Sequence, residues 1–256
     1  MEYKPKQSDI QAAKEYILKR LDAERSMVYN LEKAMQSAAE QICKICYSYG
    51  YNPQTFSFSF NRKMMAEIDA VIETLYNLIL EDFEELALAA NEDDADYILA
   101  LILGAEYGET YQDRLTDYLA KFKHELEVLI GAGLFLGLSL SVVAKSISNN
   151  LRKPYNNPVL ADGIAEEVTY GRGKTKSMFT AISTLSRYGI AKAWMREWEK
   201  GWSNKDGIIG YVVERGSSYP CDLCDENTGF HPVDEGTGLP VHPNCCCFAV
   251  PVFLDI

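Results

Sequence analysis

Seven residues able to hold a metal ion or attack a substrate stand close together near the C-terminal end of the 256-residue sequence: Cys221, Cys224, His231, His242, Cys245, Cys246 and Cys247. They read C-x2-C, a loop, then H-x2-C-x-C. A two-residue gap lets one tight turn aim two thiolates at one ion, and zinc takes about four nitrogen or sulfur donors in a tetrahedron. The pattern predicts a zinc site with Cys221, Cys224 and His242 as ligands and either Cys245 or Cys247 completing it. Neighbouring residues of an extended segment point to opposite faces, so Cys246 should face away. His231 is an alternative donor, set in a loop with Gly229, Pro232, Gly236, Gly238 and Pro240. Such a loop has little core of its own, and a bound metal would supply the missing stability.

The remaining inventory for catalysis is thin. There are three histidines, no H-E-x-x-H and no G-x-S-x-G. Pro220 to Cys224 resembles half of a nucleobase deaminase signature, but the His-x-Glu half is absent: His124, the only histidine upstream, is followed two positions later by Leu126. Gly173-Lys174-Thr175 looks like the end of a phosphate loop, yet Val168 stands where that loop needs glycine and no apolar strand precedes it. The zinc is therefore expected to be structural, with no catalytic residue. The alternative is a zinc-dependent nuclease or deaminase-like enzyme with Asp222, Asp225, Glu226 or His231 as general base, which would need an open position on the metal.

The elements that must carry these residues follow from periodicity. From Ser8, expected to cap, to about Tyr49 there is neither Gly nor Pro before Gly50, and Ile10, Ala13, Ile17, Leu21, Val28, Leu31, Met35, Ala38, Ile42 and Ile45 recur at helical steps. Cys43 and Cys46 share the C-x2-C gap but fall inside this helix, where they read as buried small hydrophobes. Phe56 to Phe60 alternates in the strand period, or serves as an extended connector. A second helix is expected from Arg62 to about Asn91, burying Met65, Ile68, Val71, Ile72, Leu75, Leu78, Ile79 and Phe83. It runs into eight acidic residues and no basic one between Glu81 and Asp96, a solvated face. Further helices are expected over 95–103, 110–129 and 177–202. The most apolar window, Val128 to Ala144, is 17 residues long with Gly131, Gly133 and Gly137 inside it. It reads as a buried helix or a helical hairpin, in which a Gly-rich turn between Ile130 and Gly133 would let two helices pack closely, since a membrane span needs about 20 residues. Pro154, Asn156, Asn157 and Pro158 mark a linker or loop. Short β-type pieces at 208–213 and 248–252 enclose the Cys/His cluster, so the expected fold is mainly α with a small zinc-stapled C-terminal β unit.

Composition narrows the function classes. An apolar fraction of 47% and a charged fraction of 24% fit a folded, water-soluble chain. A net charge of −12 disfavours general nucleic-acid or acidic-membrane binding, so any DNA contact must come from a local patch. Between Lys145 and Lys205 there are eleven basic and five acidic residues, which makes that stretch the candidate. The seven cysteines form an odd, clustered set, and the opening Met1 to Gln7 lacks the apolar core of a secretory signal, so a reducing compartment and metal binding are expected before disulfides.

The run Cys221-Asp222-Leu223-Cys224, then Gly229-Phe230, then Leu239-Pro240-Val241-His242-Pro243-Asn244-Cys245-Cys246-Cys247 with Pro251 just after, resembles the C-terminal signature of the Mu F-like phage head morphogenesis, or minor head, proteins. The likeness extends more loosely upstream through Gly137-Leu138-Ser139 and Ala144-Lys145, over about 126–253. Cys246 stands where that family usually has Arg, and Ile182-Ser183-Thr184-Leu185 replaces its Arg-Thr-Glu element. The resemblance does not reach residues 1–125, which read as a separate N-terminal helical region; it implies a head morphogenesis domain over 126–256 whose zinc unit lies at about 208–256. It also implies a non-enzymatic capsid assembly role in phage or prophage heads. The expected partners are portal and capsid proteins, with self-association and a weak contact with packaged DNA also allowed, and no membrane. The expected location is the virion, in the capsid interior or at the portal vertex, and the host cytoplasm during assembly. A carrier of a polymorphic toxin domain is a third class, disfavoured by the nine residues that follow Cys247.

Overall fold

The computed structural model describes residues 4–49, 52, 55–90, 96, 100, 104, 108–154 and 177–254. The fold is mainly helical, with a three-stranded antiparallel sheet at its C-terminal end. Helix α1 spans Gln7–Ser48, unbroken because no glycine or proline interrupts it. It starts one residue before Ser8, which does not cap: Lys6 O accepts from Asp9 N and Ile10 N, and the Ser8 hydroxyl donates to the Asp9 carboxylate. Cys43 and Cys46 are fully buried within it.

Two expectations from periodicity are corrected. The Phe56 to Phe60 alternation forms no strand; Phe58–Phe60 is a single 3-10 turn. Glu127 Oε1 accepts from Ser57 Oγ and Phe58 N, each at 2.7 Å, and this pins the chain into a turn in which Phe58 is buried and Phe60 is 71% exposed. Helix α2, Arg62–Leu88, buries Met64, Ile68, Leu75, Ile79 and Phe83, while Met65 and Leu78 are exposed. Each helical residue rotates the face by about 100°, so Met65 and Leu78 lie just off a stripe advancing in steps of three and four.

Helix α3, Tyr111–Phe135, starts with a capping box: Asp113 N donates to Thr110 Oγ1, and the Asp113 carboxylate accepts from Thr110 N. The expected turn at Ile130 to Gly133 is absent. The helix continues through both glycines and ends in a Schellman motif, with Leu138 N bonded to Gly133 O, Gly137 N to Leu134 O, and Gly137 at φ +67°. Helix α4, Leu140–Asn150, then packs back. Gly133 permits the close approach, since a Cβ there would lie 2.4 Å from Val143 Cγ2. Among the described residues no helix is long and apolar enough to cross a membrane. The helix expected over 95–103, the linker after Pro154 and the Gly173-Lys174-Thr175 run lie outside the described residues, save for isolated positions.

Helix α5, Met178–Ser203, leads into the sheet: β1 Ile208–Glu214, a short helix α6 Asp222–Glu226, β2 Gly229–Pro232 and β3 Phe248–Phe253, in the order β2-β1-β3. The chain divides into two compact units, one of residues 1–27, 83–102 and 184–256, the other of 28–82 and 103–183. Residues 125 and 126, where the Mu F-like resemblance begins, sit inside the continuous helix α3 of the second unit. In the second unit, buried apolar side chains come from α1 (Leu31, Met35, Ile42), α2 (Ile68, Leu75), α3 (Leu115, Phe122, Leu126) and α4 (Val143, Ile147). In the first, Ala13 and Ile17 of α1, Met195 and Trp198 of α5 and Tyr211, Val213, Phe248 and Val250 of the sheet form one core, which includes Cys224, Cys245 and Cys247. Polar tips are satisfied inside it: Trp198 Nε1 donates to Ala249 O at 2.8 Å and Tyr211 Oη to Glu199 O at 2.9 Å.

Candidate metal centre

The register of the sheet brings the Cys/His residues together. Val213 near the end of β1 pairs with Gly229, the first residue of β2, and Glu214 pairs with Phe248, the first residue of β3. The connection from β1 to β2 and the residues just before β3 therefore meet at one end of the sheet. The first connection carries α6, capped at Cys221, with Asp225 N donating to Cys221 O at 2.9 Å. The second carries His242 and the cysteines in a tight turn, with Cys245 N donating to His242 O at 3.1 Å and Asn244 in the left-handed region at φ 68°. Asn is among the few non-glycine residues that adopt this conformation readily.

Two sets of donors result. The ligand atoms of Cys221, Cys224 and His242 lie within 4.8 Å of one another, as do those of Cys224, Cys245 and Cys247. His242 Nε2 is 3.2 Å from Cys221 Sγ and 3.0 Å from Cys224 Sγ, and Cys224 Sγ is 3.9 Å from Cys245 Sγ. A tetrahedral ion with sulfur at about 2.3 Å and nitrogen at about 2.0 Å would hold its donors roughly 3.5–3.8 Å apart. These groups are positioned to hold a metal ion. The sequence left a choice between Cys245 and Cys247; the structure places both beside Cys224, because residues two apart in an extended segment share a face. Cys246 points the other way, its Sγ 3.6 Å from Asn244 O. His231 is not gathered: it sits on β2 with Nε2 2.9 Å from Asn227 O. Cys43 and Cys46 belong to neither set, and burial pushes their thiols up to about 12.

The electrostatics suit cation binding. Thiols this close cannot all ionise unaided. Cys245 is held down at about 5, chiefly by its bond with the Cys247 thiol, and Cys221 is lowered by the Cys224 backbone N–H. Burial raises Cys224 to about 11, and the bond to Cys245 raises Cys247 further. The cluster thus keeps protons that a divalent cation would displace. Burial alone would lower His242, but the bond to Pro243 O and the neighbouring thiols carry it up. His242 Nδ1 lies 2.7 Å from that carbonyl, so the bonding assigns the proton to Nδ1 and leaves Nε2 free to ligate.

The supports of the cluster come partly from residues the motif reading passed over. Arg215 donates to the Cys221 and Tyr219 carbonyls and pairs with Asp225. Arg20, fully buried on α1, donates through Nη2 to Cys245 O at 2.5 Å and faces Glu24 with Nε 3.2 Å from Oε1. Glu24 Oε2 accepts from Arg187 Nε and Nη2, and Arg187 Nη1 donates to Asn244 Oδ1. A signal for Arg20 and Glu24 did exist: they fall on the stripe Ala13, Ile17, Arg20, Glu24, Met27, Leu31, where helical spacing calls for apolar residues. Asp222, Asp225 and Glu226, the acidic candidates for a general base, are exposed and lie outside both donor sets.

Comparison of the chain with protein-family models, with curated proteins and with solved structures finds no match.

Proposed function

We propose that this chain is a structural protein of phage or prophage heads, of the Mu F-like minor head type, whose C-terminal unit is stapled by one zinc ion. The observation that carries the reading is the convergence of Cys221, Cys224, His242, Cys245 and Cys247 from two loops onto one end of the sheet. Thiolate and imidazole donors favour zinc over magnesium or calcium. Five protein donors compete for about four positions, which leaves none for a water or a substrate and speaks for a structural ion rather than a catalytic one. The Cys-x2-Cys, Gly-Phe, His-Pro-Asn-Cys-Cys-Cys run that resembles the Mu F-like signature supports the head assignment.

In this reading the chain performs no reaction. It joins the assembling head beside portal and capsid proteins, in the host cytoplasm and then in the virion. Contact with packaged DNA, where it occurs, is weak: Arg152 and Arg187 of the basic stretch are already paired with Glu32 and Glu24. Such a contact fades with rising salt.

Two measurements test the proposal. Elemental mass spectrometry on protein purified without chelator should find about one zinc per chain, lost in the Cys221→Ser, Cys224→Ser double variant. Co-expression with the portal, scaffold and capsid proteins of the same prophage should place the chain in purified proheads. A different metal would overturn the zinc assignment, and its absence from proheads would overturn the head assignment.

A further inference from the structure

The supports of the ligand loop carry a consequence for the N-terminal helix. Arg20 is fully buried, yet its Nη1 and Nε have no hydrogen-bond partner among the described residues; Nη2 alone donates, to the Cys245 carbonyl. A guanidinium this desolvated is retained only against a strong counter-charge. Glu24 supplies part of it, but Glu24 is shared with Arg187. With Glu24 ionised between the two guanidiniums, the trio keeps one net positive charge and lies against the ligand turn at Asn244 and Cys245. A divalent ion bound by three thiolates and a neutral imidazole carries one net negative charge, and with four thiolates it carries two. The trio also grips the ligand turn on both sides of one peptide group, through the Asn244 side chain and the Cys245 carbonyl.

We propose that Arg20 is a positioning residue of the metal centre and that, through the Arg20–Glu24–Arg187 relay, docking of the first part of α1 (residues 7–27) depends on metal loading. The inference rests on the metal-centre reading and goes beyond it. The centre does more than staple its own two loops: its charge holds a helix distant in sequence, and that helix in turn aims the Cys245 arm.

The test uses the full chain. Zinc affinity is measured by competition with a chromophoric chelator, and hydrogen exchange is followed by mass spectrometry with zinc bound and after EDTA. In the parent, zinc removal should speed amide exchange in peptides from 10–25 by tenfold or more. Arg20→Met should weaken zinc binding about tenfold or more, the usual cost of losing an outer support of a metal ligand. Because that variant leaves Glu24 buried beside Arg187 alone, a cost to folding in its own right, Arg20→Met with Glu24→Leu is the decisive chain: it removes the buried pair, whose apolar replacement is often neutral for stability. If the double variant has the parent's helical circular dichroism and apo stability but binds zinc about tenfold more weakly, the inference stands. Arg25→Met, at a position exposed on the same helix, should match the parent. A folded double variant that binds zinc as tightly as the parent, or exchange over 10–25 indifferent to EDTA, overturns the inference and leaves the metal centre standing. A parent that binds no zinc overturns both.

Discussion

Cys224 is the one thiol common to both donor sets, and Cys246 is the one thiol of the C-terminal group in neither. Their substitutions should therefore diverge. Cys224→Ser is expected to abolish stoichiometric metal binding, because neither triad survives without it, whereas Cys246→Ser should leave metal content and affinity as in the parent. Cys245→Ser and Cys247→Ser should each weaken binding, and together weaken it further, since only the Cys221, Cys224 and His242 set then remains. Metal content and chelator competition on the five variants check this, and a loss in Cys246→Ser equal to that in Cys224→Ser would refute the geometry. At this scale the donors were legible because metal chemistry constrains residue type and spacing together. The relay was not. Arg20 and Glu24 are unremarkable as residue types, and only their place on the apolar stripe of α1, followed by the arrival of Cys245 from 225 positions away, gives them a role.

The helices were legible from apolar periodicity, but what each glycine does was not, since that depends on what lies opposite. Gly133 looked like part of a turn; it is the point where α3 meets Val143 of α4, and the turn falls at Gly137. Gly133→Ala should destabilise the protein. Overpacking typically costs about 1–3 kcal/mol, while the gain in helix propensity returns about 1 kcal/mol. Val143→Ala in the same chain should recover most of the loss, so urea denaturation of the four chains should show the pair better than the sum of its members. The start of α3 gives a pH test. Bonds from the Thr110 hydroxyl and N–H hold the Asp113 carboxyl below its ordinary value. A depressed carboxylate contributes stability that is fully present above its unfolded value, about 3.9, and is lost as pH falls through the folded one. The stability gap between the parent and Asp113→Asn, present at pH 7, should accordingly close below about pH 4. A gap constant from pH 7 to pH 3 would mean the capping box contributes nothing through ionisation.

The first compact unit draws on three separated stretches of chain, and its core contains Cys224, Cys245 and Cys247 beside Ala13, Ile17, Trp198 and Phe248. A metal held by those thiols stabilises a core to which α1 and α5 both contribute. The second unit, with its own buried side chains from α1 to α4, holds no member of either donor set. Metal should therefore act on the units unequally. Mass action gives a ligand specific for the folded state about 2.7 kcal/mol at a hundred times its dissociation constant. Zinc at that excess should raise the unfolding free energy of residues 1–27, 83–102 and 184–256 by about that amount and leave 28–82 and 103–183 nearly unchanged. Hydrogen exchange resolved by peptide, with zinc and with EDTA, measures both at once. Equal loss of protection in the two units on chelation would show that the chain unfolds as a single cooperative body, in which the centre stabilises the whole molecule rather than the first unit alone.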